Sequence, residues 1–242
     1  MVQTTTPAAS VKAVVLAAGI GSRLGELTKQ TPKCLLPVQG RPLLDYWFEA
    51  LQKAGVTEIF INLHHLKEEV ERFLSRQSRA IKTTRFYESE LLGSAGTLKQ
   101  ARRFIGSDEE FFIIYADNFA LLDLNRLLAF HRGIKKSILT LVAYPTAYPE
   151  RCGILELNEE GRVLSFEEKP SRPKSNLANS GIHVASRRLF DALPDQVPAD
   201  IGFHVLPELV GEMYGYVTDE IIIDIGTIES YQYAQSLNLN RA

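Results

Sequence analysis

A wound α/β fold with a mostly parallel, three-layer sheet is predicted by two observations on the 242-residue chain. Strand-length apolar runs alternate with amphipathic stretches over the first half, which implies parallel strands covered by helices on both faces. Beyond Ser137 the helices thin out and shorter strands follow one another, which predicts a second lobe extending the same sheet. Residues 1–10 carry no apolar period and read as a flexible tail, so ordered structure is expected from Lys12. Residues 13–16 are the first strand. Pro42 suits a first helical position, and Leu43, Leu44, Trp47, Phe48 and Leu51 then recur at helical spacing as one buried stripe. A strand at 59–63, a helix over 67–76, a strand at 84–87, a helix over 95–104, a strongly apolar strand at 111–115 and a helix over 122–132 complete the first half. Strands at 138–143, 154–157, 163–167 and 182–185, with Glu160-Gly161 as a turn, and a final helix over 230–237 make the second. No Pro/Gly/Ser-rich linker and no internal repeat divides the chain, so residues 11–242 are read as one domain with halves at about 11–136 and 137–242 and the site in the cleft between them.

Composition removes several function classes. A formal net charge of -2 and a pI near 6.2 provide no basic field for nucleic acid. The longest apolar runs are strand-length, far short of the ~20 residues that a membrane helix requires. Two cysteines, Cys34 and Cys152, with no leader pattern before them, read as a reduced, cytoplasmic protein. The 45% hydrophobic content is ample for a core, and oligomeric state stays open because apolar helix faces serve a core or a homo-oligomer interface equally.

The first strand runs into Leu16-Ala17-Ala18-Gly19-Ile20-Gly21-Ser22-Arg23-Leu24. Small residues after a strand let backbone N–H groups close around phosphate oxygens. The loop is neither a dinucleotide fingerprint, since Leu24 stands at the third glycine position, nor a P-loop, since G-K-[ST] is missing. Two cations strengthen a phosphate reading: Arg23 can clamp oxygens as a fork, and Lys33 can act as a point charge. A tight surface turn with solvated charges fits the loop equally well when it is taken alone. Asp117 and Asp224 each end an apolar run, as carboxylates that could face a triphosphate with Mg²⁺ between them. Taken singly, each is equally a strand-end or turn residue.

This L-A-A-G-x-G-S-R-L run, followed by Thr31-Pro32-Lys33, resembles the sugar-phosphate nucleotidyltransferase family. So do Phe166-Glu167-Glu168-Lys169-Pro170, Asn179-Ser180-Gly181-Ile182 and Asp224-Ile225-Gly226-Thr227, four ordered motifs along nearly the whole chain. The resemblance, nearest in compact form to mannose- and heptose-1-phosphate guanylyltransferases, implies a Rossmann-like sheet without the C-terminal β-helix of longer relatives. It implies transfer of a nucleoside monophosphate from a nucleoside triphosphate to a sugar 1-phosphate, with pyrophosphate leaving. It assigns the nucleotide to Leu16, Ala17, Ala18, Gly19, Gly21, Ser22, Arg23, Lys33, Glu88 and Gly93, and Mg²⁺ to Asp117 and Asp224. The sugar phosphate goes to Gly153, Glu168, Lys169 and Asn179, and the catalytic set is Arg23, Lys33, Asp117, Lys169 and Asp224. Ala116 departs from the family's glycine before the aspartate, adding a methyl where the nucleotide passes; it is expected to be tolerated.

Glu88 falls where relatives place an acceptor facing the base. An ionised carboxylate matches the ring N–H of guanine, uracil or thymine, which ranks GTP first, then UTP or dTTP, then CTP. Alternatives are UTP or dTTP with a hexose 1-phosphate, a cytidylyltransferase for phosphocholine or another alcohol phosphate, and a non-catalytic nucleotide-sugar sensor. His64 and His65 lack partners at metal-ligand spacing. Cys34 reads as a small buried hydrophobe, and Tyr144-Pro145 with Tyr148-Pro149 as a turn between the lobes.

Overall fold

The computed structural model describes residues 11–107 and 110–238; the expected tail at 1–10 lies outside them. Strands β1 (Lys12–Leu16), β2 (Pro37–Val38), β3 (Arg41–Pro42), β4 (Glu58–Leu63), β5 (Lys82–Tyr87), β6 (Glu110–Tyr115) and β7 (Asn118–Ala120) alternate with helices α1 (Leu27–Gln30), α2 (Leu43–Lys53), α3 (Lys67–Ser75), α4 (Gly93–Gln100) and α5 (Arg102–Ile105). Helix α6 (Leu124–Gly133) leads to β8 (Leu139–Pro145), β9 (Gly153–Leu157), β10 (Val163–Glu168) and β11 (Leu177–Ser186), then α7 (Ile201–His204), β12 (Met213–Val217), β13 (Ile222–Asp224) and α8 (Ile228–Ser236).

The central sheet runs β10-β9-β11-β6-β1-β4-β5, with β8 on β11 and β12 on β8. Strands β6, β1, β4 and β5 are mutually parallel, while β11 lies antiparallel to β6 and carries the second lobe. The period-2 alternation of the strands divides the core. Ala13, Val15, Ile59, Ile61, Phe112 and Ile114 face Trp47, Phe48 and Leu51 of α2 together with α3 and α6; Val14, Phe60, Phe111 and Ile113 face α4 and α5. Three layers follow from that alternation. No helix among the described residues is long and apolar enough to cross a membrane.

Several elements differ from the sequence reading. Pro42 is the N-cap of α2, because its extended backbone pairs with Pro37 in a short hairpin before the helix starts. The helix expected over 95–104 is two helices, broken at Ala101. Strand β12 was not expected, because an inward position is Gly215, where an added Cβ would lie 2.8 Å from Leu157 Cδ1 and no apolar side chain betrays the burial. Tyr144-Pro145 ends β8 and is not a turn. The last segment does not stay with the second half: β13 pairs with β7, and Tyr231 and Gln235 of α8 donate to the Pro37 carbonyl at 2.7 and 2.6 Å.

Helix α4 is clamped from the second lobe. Ala95 N–H and Gly96 N–H donate to the Ala199 carbonyl at 2.9 and 3.3 Å, and Ala199 N–H donates to Leu92 O at 2.9 Å. Gly93 makes this approach possible: its φ is +73°, and an added Cβ would lie 2.2 Å from Ala199 O. Gly93→Ala is expected to cost about 2 kcal/mol or more of stability in urea unfolding.

Candidate active site

Chain topology brings the two aspartates together. Asp117 follows β6, and the antiparallel β7–β13 pair sets Asp224 opposite Asn118. Lys33 sits in the turn at Lys33–Leu35 and bridges them, with Nζ 2.6 Å from Asp117 Oδ2 and 3.3 Å from Asp224 Oδ1. Its side chain is 6% exposed, against 36% for Asp117 and 52% for Asp224, so the cation is fixed beneath two accessible carboxylates. Burial alone would lower the Lys33 pKa, but the charges of Asp117 and Asp224 outweigh it and hold the pKa above the ordinary lysine value. Arg23 lies at the rim of this cluster: an added Cβ on Gly226 would be 2.9 Å from Arg23 Nη2 and 2.8 Å from Asp224 Oδ1. Among the described residues no group of three or more His, Cys, Asp or Glu is placed to hold a metal. Two aspartates beside a bound triphosphate nevertheless fit a hard divalent cation, which takes few protein ligands when phosphate oxygens and water supply the rest.

A cleft beside this cluster is lined by Leu16, Ala17, Ala18 and Gly19 of the loop, and by Lys33, Glu88, Gly93 and Asp117. Gly21 and Ser22 do not line it. Gly21, at φ +70°, turns the chain, and its carbonyl accepts from Thr28 Oγ1 at 3.0 Å. Ala116 is fully buried in the core with its N–H on Leu16 O at 3.0 Å, so its methyl packs into the sheet and does not line the cleft.

Glu88 is buried and well occupied. Oε1 accepts from Asn62 Nδ2 at 2.8 Å and Thr97 Oγ1 at 2.5 Å, and Oε2 accepts from Leu92 N–H at 3.1 Å. A carboxylate has about four acceptor positions, so one remains for a ligand. Asn62 is a residue that the sequence reading passed over, although a buried Asn inside the run Ile59–Leu63 is itself a signal. Its Oδ1 takes the Ala17 N–H at 2.7 Å, joining Glu88 to the glycine loop. The two histidines serve the same region: His64 Nδ1 donates to the Glu88 carbonyl and His65 Nε2 to the Thr28 carbonyl, each at 2.9 Å. Cys34 is buried and its thiol is pushed up to about 12 by burial, an inert hydrophobe as expected.

Glu168, Gly153 and Lys169 gather at the paired ends of β9 and β10. Glu168 is opposite Gly153 in the β9–β10 pair, and a Cβ added to Gly153 or to Gly202 would lie 2.6 Å from Glu168 Oε2. Burial pushes the Glu168 pKa up, with Lys169 opposing and Asp200 adding to the shift. Lys169 has a left-handed φ of +52°, and its Nζ lies 3.8 Å from Glu168 Oε1 and over the Phe203 ring. Asp200, also absent from the sequence reading, caps α7 and accepts from Ser94 Oγ at 2.9 Å. Tyr115 connects this group with the cleft: it lines the cleft, and burial together with the charges of Asp200, Glu168 and Asp117 pushes its hydroxyl pKa well up. Asn179, on β11, accepts from Gly181 N–H and faces His183.

A family model described as nucleotidyl transferase matches residues 12–241. A D-glycero-alpha-D-manno-heptose 1-phosphate guanylyltransferase of Aneurinibacillus thermoaerophilus is 29% identical over 227 residues, covering 93% of this chain and 97% of that protein. A UTP--glucose-1-phosphate uridylyltransferase of Synechocystis is 29% identical over 93% of this chain but only 62% of its own length. The crystal structure of HddC from Yersinia pseudotuberculosis complexed with GMP-PN superposes with a TM-score of 0.77 at 26% identity, covering 93% of this chain and 98% of that one. With the family model spanning the whole central sheet and every residue that lines the cleft, the chain belongs to the nucleotidyl transferase family.

Proposed function

We propose that this enzyme transfers a nucleoside monophosphate from a nucleoside triphosphate to a sugar 1-phosphate, releasing pyrophosphate, with GTP and mannose or heptose 1-phosphate as the leading pair. The observation that carries the reading is the buried Lys33 held between two accessible aspartates at the mouth of the glycine-loop cleft. The nucleophile needs little activation, since a phosphate monoester's second pKa is ~6 and it is largely dianionic at neutral pH. Catalysis is therefore positioning and charge stabilisation. The loop amides of Ala18 and Gly19 hold phosphate oxygens, Lys33 and Arg23 balance the charge of the triphosphate, and Lys169 holds the sugar phosphate while Glu168 accepts from a sugar hydroxyl. Mg²⁺, on Asp117 and Asp224, would polarise the phosphoryl oxygens when bound. The remaining acceptor position on Glu88 suits one ring or amino N–H of guanine, in keeping with the guanylyltransferase relative. Two unpaired cysteines suit a reducing cytoplasm.

The test is pyrophosphate release with Mg²⁺ for ATP, GTP, CTP, UTP and dTTP against mannose, glucose, N-acetylglucosamine and heptose 1-phosphates. Release is expected only when both substrates are present. Release with phosphocholine and no sugar phosphate would replace the sugar reading, and tight triphosphate binding with no release would replace the catalytic one. Because Gly153 leaves no room for a Cβ beside Glu168, Gly153→Ala is expected to raise KM for the sugar phosphate ~10-fold with KM for the triphosphate unchanged, read by initial rates.

A further inference from the structure

Asn179 and His183 meet across a bulge. The register of β11 on β8 shifts between them, Gly181 takes a φ of +74°, and the His183 Nε2 comes to 3.0 Å from Asn179 Oδ1 although the two lie four positions apart. The same Oδ1 is 3.1 Å from Gly181 N. A backbone N–H can only donate, so the amide atom at this position is the oxygen, and the ring nitrogen facing it must carry a proton. That requirement fixes the neutral tautomer of His183 as Nε2–H and leaves Nδ1 a bare lone pair. Nδ1 is indeed buried and without a partner, which costs less for an acceptor than for an orphaned N–H. Burial lowers the His183 pKa to about 3, so the ring stays neutral. With Oδ1 doubly bonded, the Asn179 NH₂ has no hydrogen-bond partner among the described residues, and it is not one of their buried orphans. His183 also packs edge-on against Tyr115, ring centroids 6.1 Å apart, which ties the pair to the cleft wall.

We propose that His183 is a positioning residue: its Nε2–H, together with the Gly181 N–H, holds the Asn179 amide with the oxygen inward and the NH₂ outward, so that Asn179 donates to a sugar hydroxyl or phosphate oxygen. This rests on the sugar-phosphate reading above and deepens it.

His183→Phe keeps the ring against Tyr115 but removes one of the two donors on Asn179 Oδ1, leaving the Gly181 N–H alone to hold the amide and loosening its orientation. It is expected to raise KM for the sugar phosphate ~10-fold while kcat and KM for the triphosphate stay within about twofold. His183→Gln places an amide NH₂ near the Nε2 position and is expected to restore KM. Should the phenylalanine variant fail to fold, Asn179→Asp, which turns the donor into an acceptor, is expected to show the same selective rise. Long-range ¹H–¹⁵N spectra of the wild-type protein test the lock without any substrate: the Nε2–H tautomer should persist between about pH 5 and 8. An Nδ1–H tautomer, protonation of the ring in that window, or equal KM values in wild type and His183→Phe would overturn the proposal. If wild-type protein turns over no sugar phosphate, the sugar reading fails while the spectra still decide the tautomer.

Discussion

Lys33→Ala is expected to lower kcat by about 10²-fold or more with the fold intact. Among the described residues the lysine is the cation that the structure brings between Asp117 and Asp224, and it lines the cleft where the glycine loop would hold phosphates. A buried ammonium of fixed position stabilises charge that develops on a phosphate without reorganising at the moment of reaction, which is why its loss should fall on kcat more than on KM. Stability should change less than activity, because both aspartates keep access to water and need no internal partner. The raised Lys33 pKa supports that separation at working pH. Its pairing is fully present below the unfolded lysine pKa of ~10.4 and is lost only as pH rises through the folded value, so neutral pH leaves the pair intact. Steady-state rates alongside circular dichroism and thermal unfolding check both halves of this expectation. Near-normal turnover would remove Lys33 from the site.

Asp117→Ala is expected to cost a comparable ~10²-fold in rate, and in addition to raise the Mg²⁺ concentration needed for half-maximal activity. Lys33→Ala should leave that metal requirement nearly unchanged, so a metal titration of the two variants separates their roles. The aspartate substitution has a second consequence that the geometry makes explicit. It removes the closer of the two oxygens holding Lys33 Nζ, at 2.6 Å, leaving Asp224 at 3.3 Å. The lysine then loses its largest opposing charge against burial, and its pKa should fall. Activity of Asp117→Ala that neither drops nor shifts its metal dependence would place the cation elsewhere.

Much of the fold was legible because its elements are strongly periodic. The stripe Leu43, Leu44, Trp47, Phe48 and Leu51 is the buried face of α2, and the apolar run before Asp117 is β6, whose Phe111–Ile114 stretch is fully buried. Residues 16–19, Lys33, Glu88, Gly93 and Asp117 were all read from the sequence, and the structure gathers them around one cleft. What escaped the sequence is long-range or negative information. That Asp224 returns to Asp117 depends on β13 crossing to β7, two three-residue strands too short to carry a period. The clamp of Ala199 on α4 and the crowding of Gly153 and Gly202 on Glu168 are expressed by the absence of side chains, which a hydropathy pattern does not register. Glu88 is the instructive middle case. Its place beside the cleft follows from the motif, but its three internal donors do not, and they leave the carboxylate one further acceptor position.

Attack by a sugar-phosphate oxygen on the α-phosphorus is the central claim, and isotope tracing tests it most directly. The measurement is mass spectrometry of the products formed from the preferred triphosphate and its sugar 1-phosphate labelled with ¹⁸O in the non-bridging phosphate oxygens. The account predicts a nucleotide-sugar that retains every labelled oxygen, together with unlabelled pyrophosphate. Release of nucleoside monophosphate or diphosphate in place of pyrophosphate, or a nucleotide-sugar that has lost label, would contradict it.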